Sequence, residues 1–305
     1  RGDVTLPSHM VGDFVLMRTN GMPVYNFCCV IDDNAMQISH VLRGEEHLSN
    51  TLRQLMLYEA FGYTPPEFGH LSMILGENKK KLSKRDAAVS CDDFRQQGFL
   101  PQAVLNYIAL LGWSSKSGEE IFSFSNLIKE FSIERINPAA AVFDIKKMRW
   151  INQHHIRMLS KRELWKELEP FFTEADLQLN QDPKWQDRSL DLFSQNLEVL
   201  SDAIDLYKPL AVNKFEVSNE SKEVLAWDTS KSVIDTWVKY LKSVDCEYLS
   251  EEQFSEALNL IKSECGVKGK QLFMPIRVAI IGAPHGAELK GLVPLLSVRE
   301  LINRA

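Results

Sequence analysis

From about residue 160 to Ala305 the chain shows no convincing run of alternating apolar and polar residues, and its apolar positions recur at helical spacing. Residues 1–48 alternate in the manner of strands, with a helix and a further strand after them. This change of period predicts two parts, a layered α/β region followed by an all-helical one. A length of 305 residues is enough for two domains, each with its own core.

In the first part, Phe14-Val15-Leu16-Met17-Arg18 and Val24-Tyr25-Asn26-Phe27-Cys28-Cys29-Val30-Ile31 are expected as strands joined by a hairpin at Asn20-Gly21. Asp32-Asp33-Asn34 would end the second of them, and Gln37–Gly44 is expected to be extended again. A helix is predicted from Ser49 to Phe61, with Leu52, Leu55, Met56 and Ala60 near one face and Gly62 as the stop. Pro65-Pro66 breaks the chain before a further strand, Leu71–Leu75. Strand, helix and strand in that order imply a parallel sheet.

From Asp92 onward the reading is helical throughout. Pro101 suits a first helical position, with Val104, Leu105, Ile108 and Leu111 directed inward and Gly112 ending the helix. Ser125 is a candidate cap for a short helix carrying Leu127, Ile128 and Phe131, and Asp144 for one carrying Ile145, Met148 and Ile151. Ser160 with Glu163, and Ser250 with Gln253, have capping-box spacing. A boundary is placed near residues 150–160, and Asn213–Asp228 is read as a polar loop.

The net charge of −6 argues against a general DNA coater but leaves room for a local basic face on a specific RNA. Five cysteines without CxxC spacing point to buried thiols in a reducing compartment rather than to zinc or a disulfide framework. No apolar run approaches the ~18 residues of a membrane span, and the opening lacks the layout of a secretory signal. The first residue is Arg1, so a fragment or an incomplete gene model is expected.

Chemistry concentrates near residue 80. Five of the seven residues from Lys79 to Arg85 are cationic, in an otherwise acidic chain. Within Lys81-Leu82-Ser83-Lys84-Arg85, ammonium and guanidinium groups and a hydroxyl suit a polyphosphate. A solvated charged turn, or a basic tract read by an import receptor, is the bland alternative. Tyr25 lies inside an apolar segment, and its hydroxyl would need a partner if buried. Arg43 ends a strand ahead of Gly44, Glu45 and Glu46, at the strand end where open α/β sheets place ligands. It could fork onto a carboxylate, and Glu46 could accept from a ribose or an amine; a surface ion pair is the plainer reading of both.

Arg43-Gly44-Glu45-Glu46-His47-Leu48-Ser49-Asn50-Thr51, the KLSKR loop, Gly98-Phe99-Leu100-Pro101, Asn106-Tyr107 and Leu111-Gly112-Trp113 together resemble a glutamyl-tRNA synthetase of bacterial or organellar type. Phe143-Asp144, Met148-Arg149-Trp150 and Pro275-Ile276-Arg277 continue the likeness along essentially the whole chain. The resemblance implies a Rossmann-type α/β nucleotide-binding domain, partial here over residues 1–87, a helical stem-contact region over 88–160, and an all-α anticodon-binding domain over 161–305. It implies a ligase that activates glutamate with ATP and Mg2+ and transfers it either to tRNA(Glu) alone or to tRNA(Glu) and tRNA(Gln).

Residue by residue, the resemblance assigns ATP binding to Glu46, Ile74, Lys81, Ser83, Lys84 and Arg85, with Lys84 and Lys81 as the catalytic cations. It assigns glutamate binding to Tyr25 and Arg43, and no protein-bound zinc. The family's His-Ile-Gly-His-type signature and the first strand–helix unit have no match after Arg1; they would lie upstream, and this polypeptide alone is expected to be inactive. A monomer without membrane attachment is expected, in the cytoplasm or in an organelle (chloroplast or mitochondrion, with the organelle favoured). The glutamine-specific relatives usually carry β-barrel anticodon domains, and the short tRNA-modifying paralogues lack the helical tail. From another class, a non-catalytic tRNA-binding module or a truncated form would not need to keep the intact basic loop.

Overall fold

The computed structural model describes residue 5, residues 11–80 and residues 90–305. Its contacts divide the chain into one unit of Arg1–Cys91 with Pro101–Ile151, and another of Asp92–Leu100 with Asn152–Ala305.

In the first unit, the hairpin expected at Asn20-Gly21 is present but short. Met17 and Pro23 form one antiparallel bridge, and Gly21, at φ +81°, donates to the Arg18 carbonyl. Its second arm is not a strand: Tyr25–Ala35 is helix α1, and the acidic Asp32-Asp33 lies within it rather than ending it. A short apolar run fits either element, and here Phe27, Val30 and Ile31 recur at helical spacing, with Val30 fully buried.

Strand β1 (His40–Gly44) leads through a 3-10 turn, Glu45–His47, into helix α2 (Leu48–Phe61). Gly62 ends α2 at φ +68°, while Tyr63 N–H reaches back to the Tyr58 carbonyl. Strand β2 (Glu67–Leu71) pairs parallel to β1, His40 opposite Glu67 and Gly44 opposite Leu71. The strand expected at Leu71–Leu75 is instead divided: β2 stops at Leu71, and β3 is Ile74–Leu75.

The buried face of α2 differs from the expected one. Leu55 and Met56 are exposed, whereas Thr51, Gln54, Leu57 and Tyr58 point inward. Val30, Leu57 and Tyr58 form a small core with Phe14, Leu16, Tyr63 and Phe68 around it.

Helix α3 (Cys91–Gln96) precedes α4 (Pro101–Leu110), where the same inversion recurs. Leu105 and Ile108 are exposed, and Ala103, Asn106 and Tyr107 are buried. Helix α5 (Phe124–Glu130) is capped by Ser123, which accepts from Asn126 N–H, rather than by Ser125. Trp113, Phe122 and Leu127 form its core. The all-helical reading after Asp92 misses β4 (Ala141–Val142), which pairs parallel to β3. Asp144 caps α6 (Ile145–Met158), accepting from the Lys146 and Lys147 N–H groups.

The second unit continues with α7 (Lys161–Glu174), α8 (Pro183–Phe193), α9 (Asp202–Tyr207), α10 (Ser221–Leu225), α11 (Ser230–Ser243), α12 (Glu251–Cys265), α13 (Lys270–Ile281), α14 (Leu289–Leu292) and α15 (Val298–Arg304). Both expected capping boxes form, at Ser160 with Glu163 and at Ser250 with Gln253. The stretch Asn213–Asp228 is not wholly loop, since it holds α10. Trp165, Phe172, Trp185 and Phe193 surround the fully buried Tyr207. The Tyr207 hydroxyl lies 3.0 Å from Ser189 Oγ. Aromatic packing of this kind supplies core area without a sheet.

Candidate active site

Arg43 stands near the carboxyl end of β1, followed by Gly44 and the Glu45–His47 turn. Its Nη2 donates to Thr51 Oγ1 at 2.6 Å and to Gln54 Oε1 at 2.8 Å. Both acceptors sit on the inward face of α2, one helical turn apart. The guanidinium carbon lies 5.3 Å from the centroid of the Phe68 ring. Among the described residues Arg43 has no carboxylate as an ion-pair partner, and its buried Nε has no acceptor. A half-buried cation whose hydrogen-bond acceptors are neutral is poised for an anion.

Tyr25 occupies the first position of α1, not a strand interior, and is half exposed. Its phenol faces Cys29 and Arg43, and its ring lies 5.8 Å from that of His47. Partial burial raises its pKa above the ordinary tyrosine value, and contact with Cys29 adds to the rise while Arg43 opposes it. The hydroxyl therefore stays protonated. The structure thus brings Tyr25 and Arg43 together.

A polar layer lies behind them. Gln54 Nε2 donates to Asn26 Oδ1 at 3.2 Å, and Thr51 Oγ1 lies 2.8 Å from His70 Nε2 and 3.2 Å from the His47 carbonyl. Burial, with Arg43 nearby, lowers the His70 pKa and favours the neutral ring. Asp33 faces the same group, its carboxyl pushed up by burial and drawn down by Arg43. Tyr58, buried below, is raised to about 12, first by burial and then by Asp33 and Cys29.

None of Asn26, Cys29, Asp33, Thr51, Gln54 or His70 stood out as a site residue in the sequence. The available signal was Thr51-x-x-Gln54, polar residues at helical spacing in register with Leu57 and Tyr58.

Glu46 is exposed on the 3-10 turn, and its carboxylate folds back over Gly44, where a Cβ would lie 2.1 Å from Oε2. Ile74 opens β3 opposite Ala141, in the second small sheet. The approach to the basic segment is a tight turn in which Gly76 N–H donates to the Lys80 carbonyl and Lys79 N–H to that of Gly76. Lys79 there takes φ +57°. Lys81, Ser83, Lys84 and Arg85 lie outside the described residues.

Several of the resembling motifs are structural joints. The Tyr107 hydroxyl accepts from Asp144 N–H, and the Tyr107 ring packs edge-on against Phe143. Arg277 Nη1 donates to the carbonyls of Gly286 and Ala287.

Comparison with known proteins gives this arrangement a context. Residues 1–150 match the family model of the class I tRNA synthetase (E and Q) catalytic domain, and residues 163–305 match that of an anticodon-binding domain. The chain is 51% identical over 305 residues to the glutamate–tRNA ligase of Bdellovibrio bacteriovorus, and 39% identical to that of Natranaerobius thermophilus. All of this chain is covered in both alignments, against 62% and 63% of those relatives. A crystal structure of the glutamate tRNA ligase from Elizabethkingia meningosepticum, in complex with its amino acid, superposes with a TM-score of 0.81 at 28% identity. That superposition covers 97% of this chain and 62% of the other. Spanning about 62% of the length of such relatives, the chain belongs to the class I tRNA synthetases of the glutamate and glutamine type, with part of the catalytic domain followed by the anticodon-binding domain.

Proposed function

We propose that the protein carrying this chain activates glutamate with ATP and transfers it to tRNA. The supporting observation is Arg43: a half-buried guanidinium with neutral partners and an unmet donor, facing the Tyr25 hydroxyl. Its chemistry fits the side-chain carboxylate of glutamate. The amino acid's α-carboxylate attacks the α-phosphorus of ATP, the bond to the β-phosphate oxygen breaks, and pyrophosphate leaves. A tRNA ribose hydroxyl then attacks the adenylate carbonyl and AMP departs.

Lys84 and Lys81 are proposed to stabilise charge developing on the leaving pyrophosphate, with Ser83 and Arg85 holding phosphate oxygens. Loss of one such preorganised group costs about 10²–10³ in rate. Glu46 and Ile74 are proposed to contact the nucleotide, Ile74 through its backbone, and Mg2+ would accompany ATP as substrate. In the proposed division, residues 1–87 carry the chemistry, 88–160 touch the tRNA stem and 161–305 read the anticodon of tRNA(Glu). The relatives named above are bacterial, which favours a bacterial-type cytoplasmic enzyme, acting as a monomer, over the organellar setting read from sequence.

The test is glutamate-dependent pyrophosphate exchange by the full-length gene product. Arg43→Ala should raise the glutamate KM, and Lys84→Ala should depress the exchange rate with little loss of tRNA binding. Tight tRNA binding without any exchange would make the protein a binding module instead.

A further inference from the structure

We infer that Thr51 and Gln54 are positioning residues for amino-acid selection: by occupying Nη2 of Arg43 with two neutral acceptors, they fix the guanidinium and leave its charge free for an acidic side chain. The inference rests on the reading of Arg43 as the carboxylate-binding residue and says what makes it selective.

Nη2 carries two hydrogens, and both are spent, on Thr51 Oγ1 at 2.6 Å and Gln54 Oε1 at 2.8 Å. The buried Nε has no acceptor, and the rest of the guanidinium faces the Tyr25 hydroxyl, the side from which a ligand would meet it. Each acceptor is itself pinned, Gln54 through Asn26 and Thr51 through the His47 carbonyl and His70. Thr51 has a single proton; when it goes to the His47 carbonyl, neutral His70 must be the donor at Nε2. The Phe68 ring backs the guanidinium on one side. Gln54 and Thr51 are only 1% and 8% exposed, so water does not replace their bonds.

Neutrality of the two acceptors is the point. A glutamate at position 54 would satisfy the same geometry but would cancel the charge that attracts substrate. Asp33 is the carboxyl that faces Arg43, and burial opposes its ionisation, whereas a substrate carboxylate brings full charge and two acceptor oxygens. A carboxamide offers one acceptor and sets its own NH2 against the remaining N–H donors.

The experiment measures KM and kcat for glutamate, glutamine and ATP by pyrophosphate exchange with the full-length gene product. Gln54→Glu keeps the shape and should raise the glutamate KM about 10- to 100-fold, the scale of a charge-assisted hydrogen bond. The ATP KM should stay unchanged, and the preference for glutamate over glutamine should shrink. Thr51→Val removes an acceptor near-isosterically and should act in the same direction, about tenfold. In an Arg43→Ala background, Gln54→Glu should add nothing.

A normal glutamate KM in Gln54→Glu, with Arg43→Ala impaired, overturns the inference. So does an equal rise in the glutamate and ATP KM values, which marks a general structural fault. Should Gln54→Glu fail to fold by circular dichroism, Thr51→Val decides on the same readouts. An Arg43→Ala enzyme with an unaltered glutamate KM overturns the underlying reading instead.

Discussion

Asn106 Oδ1 accepts the backbone N–H of Phe122 at 2.8 Å, tying α4 to the segment that leads into α5. Its Nδ2 donates to the Glu120 carbonyl at 2.9 Å, and the side chain is 1% exposed. Asn106→Leu keeps the volume but strands a buried N–H. The expected cost is about 1–3 kcal/mol of stability. Because Phe122 packs against Trp113 at 5.8 Å between ring centroids, denaturant unfolding followed by tryptophan fluorescence reads it directly. An unchanged midpoint would remove the role assigned to Asn106.

Gly98 takes φ +85°, and a Cβ there would lie 2.6 Å from Ser201 N and 2.7 Å from Leu200 N. Those neighbours are backbone atoms that cannot swing aside, and Leu200 N–H already donates to the Gly98 carbonyl at 2.9 Å. Gly98→Ala should therefore destabilise the second unit by about 2–5 kcal/mol, combining left-handed strain with overpacking. A thermal melt within a degree of the parent would contradict this.

His70 gives a pH dependence whose sign follows from its environment. Burial and Arg43 depress its folded-state pKa below the ordinary 6.5. The unfolded chain then binds the proton more readily. The stability contributed by the neutral ring is complete above pH 6.5 and is lost as pH falls through the depressed folded value. His70→Gln should flatten that loss in melting temperatures recorded from pH 7.5 to 5. A parallel decline in both proteins would assign the acid sensitivity to other groups.

If residues 161–305 hold the anticodon arm, as proposed, tRNA affinity of the chain should fall linearly with the logarithm of salt concentration. Each phosphate contact contributes a slope of about 0.7–0.9. With a net charge of −6, binding must come from a local basic face, so a salt-independent affinity would be incompatible with it.

The elements that sequence made legible are those governed by local chemistry. Gly62 and Gly112 end helices because they take φ +68° and +123° there, and Ser160, Ser250 and Asp144 cap because their side chains meet the next few N–H groups. The extended Gln37–Gly44 segment, the helix after it and the parallel pairing of the sheet also follow from the pattern, whereas β2 at Glu67–Leu71 lies ahead of the strand expected at Leu71–Leu75. The misread elements have a common cause. In α2 and α4 the apolar residues Leu55, Met56, Leu105 and Ile108 face outward, while Thr51, Gln54 and Asn106 are buried. Hydrophobic periodicity assigns the inward face to apolar side chains, and a helix that buries hydrogen-bonding groups breaks that rule.

The sequence by itself determined the helix caps at Asp144, Ser160 and Ser250, the stop at Gly62, the change from a mixed to an all-helical region, and the basic segment that carries the nucleotide hypothesis. Only the tertiary structure decided that Tyr25 begins a helix facing Arg43, and that Arg43 is held by two neutral acceptors. Caps and turns depend on neighbours a few residues away, which the chain order fixes. The environment of a guanidinium depends on groups from α1, α2 and β2, which only packing brings within a few ångströms of one another.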